Sequence, residues 1–131
     1  EDVWIGNIIK HRPPQNREPL PYEIVQCQPY LVEQLKIIKP ILVITLGRYA
    51  MNHFYPDGKI SRDRGNLMKI KNLAYSIYPV YHPAAALRST GMYNDLRSDF
   101  LRIPDILVEA EKIEIKPVSQ IDDDGQIGLG F

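Results

Sequence analysis

At 131 residues, 44% of them hydrophobic and 24% charged, the chain reads as one globular domain with enough apolar side chains for a core. Its single cysteine, Cys27, excludes a disulfide within the chain and fits an intracellular protein; no apolar run approaches the ~18 residues that would span a membrane. The formal charge of zero is unevenly divided: residues 1–102 carry 14 Lys and Arg against 9 Asp and Glu, and residues 103–131 carry 2 against 7. A mildly basic body, compatible with a polyanionic partner, is thus followed by an acidic end.

In chain order, "VWIGN" (Val3 to Asn7) is a short apolar run ending in Gly-Asn and predicts a first strand. Because this buried-strand pattern begins almost at Glu1, the expectation is that either a segment has been removed or the numbering starts inside a longer protein. "KHRPPQNREPLP" is a basic loop whose four prolines, Pro13, Pro14, Pro19 and Pro21, exclude regular structure. From Tyr22 to Ile38, Ile24, Leu31, Leu35 and Ile38 recur at helical spacing, with a kink or a restart expected at Pro29.

"PILVITLG" (Pro40 to Gly47) predicts a strand covered on both faces, because its apolar run is continuous and rich in β-branched residues. "RYAMNHF" predicts a short helix, "YPDGKISRDRG" a turn-rich connection, and "NLMKI" and "AYSIYPVYH" two further strands. Between Tyr93 and Lys112 the apolar positions Leu96, Phe100, Ile103, Leu107 and Ala110 return to helical spacing, with a break at Pro104. "SQIDDDGQIGLGF" reads as an acidic, glycine-rich tail. The domain therefore spans residues 1–112, followed by a tail over 113–131.

Alternating strands and helices predict an α/β fold, three-layer αβα with a mainly parallel central sheet. Ligands of such sheets bind beyond the carboxyl ends of the strands. Asn7, Gly47 and His82 each follow a predicted strand, so topology brings them to one edge.

Each candidate has a plain reading and a functional one. His82, delivered straight into Pro83, either donates into a pocket at that edge or is a half-buried histidine satisfied by a carbonyl. Asn7 either reads the hydrogen-bonding edge of a pyrimidine or is a turn asparagine. Leu87-Arg88 is either a minor-groove wedge beside a phosphate anchor or an apolar residue packed on the body next to a solvated cation. His11 and Cys27, sixteen apart, can both ligate metal, but two ligands do not make a site.

The segments "IGNIIKHRPPQNREPLPYEIVQCQPYLVEQLKIIKPILVITLGRYA" and "VYHPAAALRS" resemble the family 4 uracil-DNA glycosylases, the iron–sulfur type of bacteria and archaea. The R-P-P-x-N-R-x-P loop, the C-x-P-x-L helix, the strand ending in L-G-R, "KISRDRG" and the H-P-A loop stand in that family's order. The resemblance implies a cytoplasmic enzyme that hydrolyses the N-glycosidic bond of deoxyuridine in single- or double-stranded DNA and so starts base-excision repair. It makes Asn7 the reader of uracil and His82 the donor to uracil O2. It also places Leu87 and Arg88 in the loop that enters the DNA. Arg12, Arg17, Arg62 and Arg64 are candidate phosphate contacts by charge and loop position.

The sequence departs from the family in two ways. The family's amino-terminal third, with its CxxC pair, its G-E-A-P-G motif and the aromatic that stacks on uracil, has no counterpart, so this chain alone is expected to be weak or inactive. Of the four ligands of the family's 4Fe–4S cluster, only Cys27 keeps its cysteine here, and His11 stands where another belongs. Either a cluster with one histidine ligand forms in the complete protein, or it is lost. A related branch that traps its product covalently also carries a Lys-His pair at this point. Two further readings stay open: a non-catalytic DNA-binding or scaffold member of the fold, and a metal-stabilised structural domain. The acidic tail suits contact with a replication or repair protein.

Overall fold

A computed structural model describes residues 2–113, which divide into two compact units between Lys39 and Pro40. The acidic tail expected from residue 113 onward lies outside the described residues, Ile113 apart. No helix among the described residues is long and apolar enough to cross a membrane.

In the first unit the expected strand over Val3–Asn7 does not form. Its alternation is strand-like, but a strand needs a neighbour's N–H and C=O groups, and the strands among the described residues both belong to the second unit. Val3 and Ile5 stand 76% and 86% exposed. A single 3-10 turn at Pro14–Asn16 breaks the proline-rich loop.

Helix α1 (Pro21–Ile38) then starts with proline in its first turn, where a missing N–H costs nothing. Glu23 folds back so that its carboxylate accepts the Leu20 N–H at 2.8 Å. The helix runs unbroken through Pro29, without the expected restart, and ends where Lys39 takes a left-handed conformation at φ 51°. Glu23, Cys27 and Leu31, four apart, form its buried face.

The second unit holds strand β1 (Leu42–Leu46), helices α2 (Arg48–Phe54) and α3 (Ile60–Asp63), and strand β2 (Ser76–Val80). Helices α4 (Pro83–Ala86), α5 (Thr90–Leu101) and α6 (Ile103–Lys112) follow. β1 and β2 pair in parallel from Leu42↔Ser76 to Leu46↔Val80. The strand expected at "NLMKI" reduces to one antiparallel bridge, Met68↔Ile77, on the outer side of β2. With neighbours on both sides, β2 is buried at all five positions. Pro104 makes the expected break: α5 stops before it, and α6 begins with it in the first turn.

Alternation along the strands turns Tyr78 and Val80 to one face of the sheet. There they join Ile106 in a core packed by Leu42, Ile44, Leu67, Leu96 and Ile103. Each such side chain contributes ~1.5–3 kcal/mol by leaving water. This is the α/β architecture with a parallel sheet that the sequence predicts, and it fixes what emerges at the carboxyl ends of the strands.

Candidate active site

β1 leads into Gly47 and β2 leads through Tyr81 into His82, so the parallel register brings these two exits side by side. The Gly47 N–H donates to the Val80 carbonyl at 2.9 Å, continuing the ladder one residue past the strand. Its φ of 87° is a left-handed value, and a Cβ there would stand 3.0 Å from the His82 Cβ. Glycine meets both demands, the turn and the approach of His82.

His82 is exposed and caps α4: its Nδ1 accepts the Ala84 N–H at 3.0 Å. A ring nitrogen that accepts is unprotonated, so in the neutral ring the proton sits on Nε2, leaving that N–H to donate outward. Pro83 begins α4 and fixes the chain as it leaves the histidine. Leu87 is 87% exposed, not packed on the body, and the Arg88 guanidinium beside it makes no hydrogen bond or ion pair among the described residues. Ser89 then starts α5 by accepting the Met92 N–H.

Asn7 belongs to the first unit, where it lines a shallow concavity with Lys10, His11, Arg12 and Arg17. The arginines singled out by charge are largely engaged within the protein. Arg12 donates to the Asn16 side chain, and Arg17 grips both oxygens of Glu23 at 2.7 and 2.9 Å. Arg62 grips both oxygens of Asp63, and Arg64 both of Asp99 at 2.8 and 2.9 Å. Arg17, Arg62 and Arg64 thus each have a carboxylate partner within the protein. Asp99 gives no sign of this in the sequence, because it lies 35 residues from Arg64.

The Arg17 guanidinium and the Leu20 N–H hold the Glu23 carboxyl at about 2, below its ordinary 4.5. A carboxyl depressed by folding adds stability above its unfolded value, and that stability is lost as pH falls from 4.5 toward 2. Glu23→Gln should therefore lose less stability than the parent across that window, as urea midpoints measured between pH 6 and pH 2 would show. Parallel curves would remove the assignment.

His11 and Cys27 do meet: Nδ1 and Sγ lie 3.6 Å apart, and the sulfur, 4% exposed, also accepts the Lys10 N–H at 3.4 Å. A four-iron cluster takes four protein ligands. The chain has one cysteine, and no group of three or more His, Cys, Asp or Glu among the described residues is placed to hold a metal. These residues do not by themselves fit such a cluster, and the observed contacts are those of a hydrogen-bonded thiol that ties the loop to α1.

Residues 1–103 match the model of the Uracil DNA glycosylase superfamily. The chain is 35% identical over 116 residues to a Type-4 uracil-DNA glycosylase of Saccharolobus solfataricus, covering 82% of this chain and 53% of that protein. It is 39% identical over 100 residues to one of Thermotoga maritima, covering 74% and 50%. A DNA polymerase of Bacillus phage SP01 is 29% identical over 111 residues, covering 85% of this chain and 12% of the polymerase. The chain thus spans about half the length of the glycosylases it matches.

Proposed function

The chain belongs to the Uracil DNA glycosylase superfamily, and from that premise we propose that it serves hydrolysis of the bond between uracil and deoxyribose in DNA. The observation that carries the reading is the His82 ring, held by the Ala84 N–H at the carboxyl edge of a parallel sheet with its Nε2–H left to donate. Uracil leaves with the electron pair of the glycosidic bond, so negative charge grows on its O2. A donor fixed in advance stabilises that charge by ~3–4 kcal/mol. Asn7 offers an amide donor and acceptor that match uracil's carbonyl and N–H. Leu87 enters the space of the rotated nucleotide while Arg88 meets a phosphate. No step is assigned to an iron–sulfur cluster. A cytoplasmic site of action follows from the reading.

The test is release of uracil from single-stranded and duplex oligonucleotides, with Leu87→Ala as the second arm. A wedge is needed only where a stack must be opened, so Leu87→Ala should lose several-fold more activity on duplex than on single strands. Equal losses would remove the wedge assignment. The similarity to a stretch of a phage DNA polymerase favours one other reading, a DNA-binding member of the fold without chemistry of its own. DNA binding with no uracil release, in this chain and in any longer form of it, would select that reading.

A further inference from the structure

α5 and its C-terminal cap Arg102 present a stripe of Asn94, Arg97, Ser98, Leu101 and Arg102 that lines a shallow concavity. These positions fall at i, i+3, i+4, i+7 and i+8, one face of the helix. The opposite side is anchored, with Leu96 packed on the core and Asp99 1% exposed. Ordinary solvated helix faces mix the two signs of charge, and α5 has two acids, Asp95 and Asp99. Both point at one cation: Arg64 reaches Asp99 at 2.8 Å and Asp95 at 3.8 Å. That internal pairing leaves the stripe without a carboxylate. Arg97 is exposed, and its guanidinium makes no hydrogen bond or ion pair among the described residues. Arg102 shares the stripe while one of its nitrogens donates to the Gly65 carbonyl at 2.9 Å.

We infer that this stripe of α5 is a second contact for the phosphodiester backbone of nucleic acid, with Arg97 as its principal cation. It continues the loop that carries Leu87 and Arg88, because Ser89 caps α5 directly after them. Arg97 lies nine positions after Arg88, and the helical part of that span, from Thr90 on, rises roughly 10 Å. The two free guanidiniums thus bracket a stretch of backbone instead of sharing one phosphate. The Asn94 amide and Ser98 hydroxyl add neutral donors of the kind that position phosphates without reading sequence. The inference rests on the DNA reading above and assigns it a surface that charge counting along the chain does not reveal.

The experiment is the salt dependence of binding of the full chain to a uracil-free duplex and to a single strand, measured by fluorescence anisotropy for the parent, Arg97→Gln, Arg88→Gln and, as a control, Lys71→Gln in the exposed turn before β2. Each lost phosphate contact should make the slope of log affinity against log salt less negative, by about 0.9 on duplex and about 0.7 on single strands. Arg97→Gln should show this change uniformly across sequences, and Lys71→Gln should match the parent. Parental slopes for Arg97→Gln together with a reduced slope for Arg88→Gln would overturn this inference and leave the DNA reading standing. A parent that binds neither nucleic acid at low salt would overturn both. Unchanged melting temperatures establish that the comparison is between folded proteins.

Discussion

On the proposed reading, His82→Ala is expected to lower uracil release by the complete protein at least ~100-fold, with the loss in kcat and little change in KM. In that reading the Nε2–H would interact weakly with the neutral carbonyl of bound deoxyuridine and strongly with the anion that forms as the bond breaks. Its removal therefore affects the transition state more than the ground state. A general loss of structure is a separate matter, because His82 is exposed and its fold contribution is one cap interaction, the Ala84 N–H to Nδ1 bond. Losing a side-chain cap costs ~0.5–2 kcal/mol, which a melting curve resolves from the kinetic effect. A second arm separates charge stabilisation from simple positioning. 5-Fluorouracil is a less basic leaving group than uracil and needs less help, so the ratio of parent to variant rates should shrink on it. Parental rates in a folded His82→Ala protein would dismiss His82 as the donor, and an equal ratio on both bases would reduce it to a positioning residue.

Much of this edge is legible in the sequence because its determinants are local. A β-branched apolar run closed by Gly47 marks a strand and its exit, and His82-Pro83 marks the start of the next element. Pro104 likewise announces the break between α5 and α6. The failures share a physical origin in partners that a local window does not contain. Val3–Asn7 has the alternation of a strand and no strand beside it among the described residues. "NLMKI" has strand-like composition, yet only Met68 reaches β2. Charge alone does not show how the arginines are engaged, since a cation near a loop is visible in sequence and the geometry of the acid that pairs with it is not. Arg62 has that acid next door in Asp63. Arg64 has it a whole strand and two helices away in Asp99.

That distant pair sets the largest stability effect expected here. Arg64→Ala should destabilise the fold by ~3–5 kcal/mol, because it leaves the Asp99 carboxylate buried and without its cation. The converse change, Asp99→Ala, should cost less by at least ~1 kcal/mol. The Arg64 side chain is 23% exposed and keeps Asp95 at 3.8 Å, so its charge retains both water and a partner. Arg64→Lys should fall between them, since one ammonium does not reproduce a fork that satisfies two oxygens. The surroundings are built around the fork. Gly65, at φ 73°, has no Cβ where one would lie 2.5 Å from Asp99 Oδ1, and its N–H donates to the Pro79 carbonyl. The Tyr78 hydroxyl donates to the Asp99 carbonyl at 3.0 Å. Removing both charges should therefore be milder than removing the arginine alone, and a double-mutant cycle in urea measures this directly. Additive losses would show that the two side chains are structurally independent. Strong coupling would identify the clasp as the device that holds α5 against the segment following α3.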